Sequence, residues 1–176
     1  MKKRNFITGA SSLIFTGLYP VVSMAENAST YFSLIWRGLD VGFSNIKLKR
    51  SGKKITANIE VKISVKVLHF DAFSYYLKNE EIWEAGVLTK IKSKTIIGKK
   101  TEFVKGERKN KGFQIEGSKF SGLVKGNPAT TSYFSPDFLK RKIWISTQDG
   151  DPLSVNANKI GPDMAKSVDG EIPATL

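Results

Sequence analysis

The sequence predicts a mainly β protein: a curled antiparallel sheet or incomplete β-barrel with one short helix. Three observations predict it. From Ile55 to Val67 every second residue is apolar (Ile55, Ala57, Ile59, Val61, Ile63, Val65, Val67), with Thr56, Asn58, Glu60, Lys62, Ser64 and Lys66 between them. That is the period of a strand with one face buried. Shorter runs of strand character recur along the chain, separated by Gly38, Gly52, Gly106, Gly117 and Gly126. Helical periodicity is nearly absent, and short strands at this spacing favour an antiparallel barrel or curled sheet.

The first 25 residues are set apart from this domain. Lys2, Lys3 and Arg4 precede an apolar, small-residue stretch from Phe6 to Val22, and Ser23-Met24-Ala25 supplies small residues for a cleavage site. This is the layout of a secretory signal peptide. The domain is then residues 26–176, a length that suits one core. Removing the leader lowers the net charge from +12 to +9, still strongly basic. The chain has no cysteine, which excludes a disulfide framework, thiol catalysis and a lipid-bearing cysteine. After the leader no segment is apolar enough to span a bilayer as a helix. The expectation is a mature protein in the periplasm or secreted.

The strands follow in order. Tyr31 to Arg37 is the first, Gly38-Leu39-Asp40 a tight reversal, and Val41 to Arg50 the return strand, ending in a turn at Gly52. Ile55 to Val67 is the third; at about 3.3 Å per residue it runs roughly 40 Å, long enough to twist and curl around its apolar face. At Val67-Leu68 the alternation breaks, which predicts a bulge or strand end. The stretch from Phe70 leads into Val87–Ile97, a strand carrying Lys90, Lys92 and Lys94 on one face. Further short strands fit Thr101–Lys105, Gly112–Glu116, Lys119–Val124 and Ile143–Ser146. The sequence SPDFLKR is the one candidate helix, with Ser135 as cap and Pro136 at its first position. "QDGDP" reads as a turn, because Asp149 and Asp151 lack the further ligands of a calcium loop.

Few residues carry recognisable chemistry. His69 is the single histidine and would share a strand face with Asp71, but no serine is marked to complete a triad. One histidine without cysteine predicts no metal site. Glu80, Glu81 and Glu84 cluster beside Trp83; on a strand Glu81 and Trp83 face one way, and Glu80, Ile82 and Glu84 the other. The simplest role for Glu81 is pairing with a lysine on a neighbouring strand, and the sharper one is acid–base work on a glycosidic bond. No dinucleotide or phosphate-loop motif is present, so no cofactor is expected. Export argues against nucleic acid despite the basic charge.

The pieces "YFSLIWRGLDVG", "EEIWEAGVLTKIKSKT", "TTSYFSP" and "STQDGD" together resemble a family of exported bacterial proteins catalogued as domain of unknown function six-one-three-four. The shared pattern maps onto Tyr31, Trp36, Gly38 and Gly42; onto Glu81, Trp83, Gly86, Leu88 and Thr95; and onto Tyr133, Phe134 and Pro136. The resemblance implies a periplasmic curved sheet and no particular activity. It also implies closing strands beyond "GEIPATL", so the chain is expected to be a truncated copy.

Two binding surfaces follow. The apolar face, with Ile59, Val61, Ile63, Val65 and Trp83, is expected to hold a hydrophobic or lipid-like molecule or to pack as core. The opposite face, with Lys62, Lys66, Lys90, Lys92 and Lys94, is expected either to keep long strands soluble or to meet an anionic envelope component. The function expected is non-enzymatic binding; a carboxylate-based hydrolase is the remaining alternative.

Overall fold

The alternation of Ile55–Val67 builds the centre of a meander. A computed structural model describes residues 27–67, 70–135, 137–157, 162–167 and 170–175. The expected leader, Leu68, His69 and Pro136 lie outside the described residues. Eight strands follow one another in chain order: β1 (Asn27–Trp36), β2 (Leu39–Ser51), β3 (Lys54–Val67), β4 (Phe70–Glu84), β5 (Val87–Ile97), β6 (Lys100–Lys109), β7 (Gly112–Gly117) and β8 (Ser121–Val124). Each pairs with the next, antiparallel, and the sheet is not closed into a barrel. Such sequential hairpins need only short turns, which is why glycines punctuate the sequence.

The second layer is the segment after β8. It contains β9 (Ala129–Thr130), one 3-10 turn (Phe138–Lys140), β10 (Ile143–Ile145) and β11 (Pro152–Ser154). β10 pairs antiparallel with β11 and parallel with β9. β12 (Pro162–Ser167) and β13 (Gly170–Thr175) form a separate two-stranded ribbon.

One local expectation is corrected. The short helix is a single 3-10 turn, and Ser135 does not cap it. The residue at the cap position, Asp137, reaches Lys140 at 3.1 Å instead of the turn's N–H groups. The Phe138 ring is drawn against Trp144, 5.4 Å between centroids, and extended chain resumes at once. β3 ends at Val67, where the broken alternation predicts a bulge or strand end, and the β3–β4 register shifts just before that end, between Val65 and Lys66. A second shift, between Ile82 and Trp83, lets Trp83 oppose Leu88 while Ile82 opposes Lys90.

One face of the sheet is the core. Trp83, Leu88, Ile91, Val104, Phe113, Ile115 and Val124 from the sheet meet Ile145 from the second layer. Fully burying a side chain such as Leu88 contributes about 1.5–3 kcal/mol. Two glycines set the depth of this packing. A Cβ on Gly106 would lie 2.5 Å from the Phe113 ring, so the bare backbone makes room for the aromatic side chain. A Cβ on Gly117 would lie 2.5 Å from the Asp149 carbonyl oxygen, which is how closely the covering segment rests on β7. That segment is also held by Lys119, whose ammonium reaches Asp151 at 2.5 Å and whose N–H donates to the Asp149 carbonyl at 3.0 Å. The "QDGDP" stretch is a turn: the Asp151 N–H donates to the Asp149 carboxylate at 3.2 Å.

Arg108 fastens a third place. Its guanidinium lies over the Phe113 ring and donates to the carbonyls of Leu88 at 3.2 Å and Gly126 at 2.6 Å and to the Asn127 side chain at 3.1 Å. Five donors in a fixed fork suit such a junction between strands and loop.

Candidate functional site

β5 shows the two faces most sharply. Ile91, Ser93 and Thr95 are buried, whereas Lys90, Lys92 and Lys94 are exposed. Same-face residues two apart on a strand are about 6.6 Å apart. The register then sets lysine against lysine across the sheet. Lys78 on β4 lies directly opposite Lys94 on β5. Lys92 on β5 lies directly opposite Lys105 on β6. Like charges placed opposite each other destabilise a sheet by some tenths of a kcal/mol, up to about 1 kcal/mol.

Two grooves open on this face. One, about 620 Å³, is lined by Asn45, Lys47, Asn58, Glu60, Tyr76, Lys78, Glu80, Lys92 and Lys94 among others. The second, about 790 Å³, is lined by Glu80, Lys90, Lys92, Lys105, Glu107, Gln114 and Glu116 among others. They share Glu80 and Lys92 and so form one trough crossing the strands. Six lysines and four carboxylates line it. Two of those carboxylates are already engaged: Glu60 accepts the Tyr76 hydroxyl at 2.9 Å, and Glu107 pairs with Lys109. The Glu60 bond raises the Tyr76 phenol above its usual pKa, and the Lys109 bond holds Glu107 below the usual carboxylate range. Among the described residues none of the six trough lysines lies within 4.0 Å of a carboxylate oxygen. Lys92, Lys94 and Lys90 thus converge in the trough, while Lys62 and Lys66 are exposed on the same strands' face but do not line it. Lys78 and Lys105 are partners that only the register reveals.

The apolar residues divide differently. Trp83 is 2% exposed within the core, and Ile59 is buried. Val61, Ile63 and Val65 are half-buried along β3, opposite Leu77, Tyr75 and Phe73 of β4. At this end of the sheet Phe32 is 49% and Phe73 45% exposed, so the apolar face is covered only in part.

The glutamate cluster separates by face, as strand alternation requires. Glu80 and Glu84 are exposed on the lysine face and Glu81 is buried on the other, so the three carboxylates do not converge. Nor does Glu81 pair with a lysine: its cross-strand neighbours are Ala57 and Ile91. One of its oxygens, Oε1, accepts from Asn79 Nδ2 at 2.7 Å. The other, Oε2, accepts from Trp83 Nε1 at 2.8 Å and from the Thr130 and Ser132 hydroxyls at 3.2 Å each. Burial pushes the Glu81 carboxyl above its ordinary pKa, and these donors oppose that shift. The two hydroxyls come from β9 and the residues after it, so Glu81 ties the covering layer to the sheet.

The chain matches the family model for Domain of unknown function (DUF6134) over residues 32–176. It belongs to that family. The DUF6134 match starts inside β1 and takes in every later strand, so the meander and its covering layer are the family's domain. Neither a curated protein nor a solved structure matches the chain. Some of the residues that carry the resemblance meet in the structure: Glu81 and Trp83 are bonded to each other, Leu88 lies fully buried opposite Trp83, and Thr95 is buried further along the same face of β5.

Proposed function

We propose that this DUF6134 protein is an exported, non-enzymatic binding protein that holds an elongated anionic polymer of the cell envelope in the lysine trough. The observation that carries the reading is the pair of directly opposed lysines in a groove, Lys78 with Lys94 and Lys92 with Lys105, none within 4.0 Å of a carboxylate oxygen although Glu60 and Glu80 are the other cross-strand neighbours of Lys78 and Lys92. A bound anion would convert that repulsion into attraction. The trough crosses several strands at about 4.8 Å each, a shape that favours a chain-like ligand over a flat bilayer. The net charge of +12 and the leader-like first 25 residues support an exported protein drawn to anionic partners.

The test is binding of fluorescent polyphosphate at low salt to the wild type, to Lys92→Gln/Lys94→Gln and to Lys53→Gln/Lys111→Gln. Both doubles remove two charges, but Lys53 and Lys111 lie in exposed turns away from the trough. A loss of tenfold or more in the first double alone supports the trough; equal losses in both reduce the effect to net charge. Stronger binding to anionic vesicles than to polyphosphate would replace the polymer with a lipid surface.

A second reading rests on the uncovered end of the apolar face. Phe32 and Phe73, beside half-buried Val61, Ile63 and Val65, offer a surface for a hydrophobic or lipid-like molecule. Native mass spectrometry of the purified protein decides it: a co-purified lipid lost in Ile63→Asp supports this reading, and a bare protein removes it.

A further inference from the structure

We infer that Glu81 is a buried proton-binding site, occupied at neutral pH, so that the covering layer is clamped to the sheet by a neutral carboxylic acid. Glu81 is 0% exposed. No charged or titratable side chain faces it from any element packed around it. β3 presents Ala57, β5 presents Ile91, β4 itself presents Asn79 and Trp83, and the covering layer presents Thr130 and Ser132. The nearest charged groups on that face by register are Arg50 on β2 and Arg108 on β6, each two strands away, with Glu102 further along β6. An ion buried without a counter-ion carries a large desolvation cost, which proton uptake removes.

The surrounding groups accept the neutral acid readily. Asn79 Oδ1 is buried and has no hydrogen-bond partner. Rotating the carboxamide by a half-turn brings that oxygen to Glu81 Oε1, where it accepts the acid's O–H. Oε2, now the carbonyl oxygen, keeps the Trp83 N–H. The Thr130 and Ser132 hydroxyls lie 2.8 Å from each other, so one can donate to Oε2 and the other to its neighbour. Both segments therefore stay joined without a buried charge. Burial raises the Glu81 pKa, in the same sense.

The sign follows from linkage. An unfolded glutamate ionises near 4.5. Above that pH the folded chain retains a proton that the unfolded chain releases, so stability declines as pH rises, until the folded pKa is passed. The experiment is chemical denaturation of the wild type and Glu81→Gln between about pH 5 and pH 8. The wild-type folding constant, taken relative to Glu81→Gln, should fall about tenfold per pH unit. A ratio that stays flat or rises with pH overturns the proposal. Infrared spectra of the wild type keep it testable even when Glu81→Gln does not fold. A protonated-carboxyl band persisting at neutral pH supports the assignment, and its absence overturns it.

Discussion

Trp83 donates its indole N–H to Glu81 Oε2 at 2.8 Å from two positions further along the same strand. Side chains two apart share a face, so the sequence motif Glu81–Trp83 is a preformed donor–acceptor pair once β4 forms. Replacing Trp83 with Phe keeps most of the apolar area and removes the donor. The loss of one hydrogen bond to a buried group should cost about 1–3 kcal/mol in urea denaturation. An unchanged midpoint would mean that the bond contributes nothing to the fold.

Arg108 makes a second prediction. It joins β5, the Phe113 ring and the loop at Gly126 and Asn127 through three hydrogen bonds. A lysine keeps the charge but loses the fork. Arg108→Lys should therefore lower stability by about 0.5–1.5 kcal/mol, because the part-buried Leu88 carbonyl and the exposed Gly126 carbonyl lose a donor. Hydrogen exchange should report it first at the residues around Gly126.

Gly117 tests the contact between layers. A Cβ there meets the Asp149 carbonyl oxygen at 2.5 Å and the Gly150 Cα at 3.1 Å, both backbone. Gly117→Ala should push the covering segment outward and cost about 1–3 kcal/mol. Gly86→Ala is the comparison, since nothing lies within 4 Å of a Cβ at that turn. It should cost less, from its positive φ of 78° alone.

Lys94 separates binding from stability. It faces Lys78 directly, so Lys94→Glu exchanges repulsion for attraction. The variant should gain some tenths of a kcal/mol, up to about 1 kcal/mol, in thermal or chemical denaturation. It should simultaneously bind polyphosphate at least tenfold more weakly. A variant that is less stable, or that binds as tightly, contradicts the role given to this pair.

Much of the meander is legible because most strands alternate between apolar and polar residues. β3 is plain for this reason, and β5 nearly so, with lysines on one face and Ile91 between. β4 is the strand whose limits the sequence hides. Its inward positions include Asn79 and Glu81, which are buried yet polar, so the alternation that would delimit it is broken. Glu81 looked like a lysine partner because a carboxylate among lysines usually is one; its real partners include Thr130 and Ser132, some 50 residues away, and sequence carries no signal for that contact. The opposed lysine pairs are likewise invisible until register is known, since Lys78 and Lys105 sit on separate strands. The short helix is there as a 3-10 turn, but its cap is not the expected one: the Asp137 carboxylate turns to Lys140, and Phe138 packs against Trp144.

The most direct measurement of the central claim is the salt dependence of polyphosphate binding by the wild type and Lys92→Gln/Lys94→Gln. The account predicts a steep linear fall of log affinity with log salt in the wild type. For a flexible polyanion losing two lysine contacts, the slope in the variant should be shallower by about 1.4. Identical slopes for the two proteins, or an affinity indifferent to salt, would contradict binding through the trough.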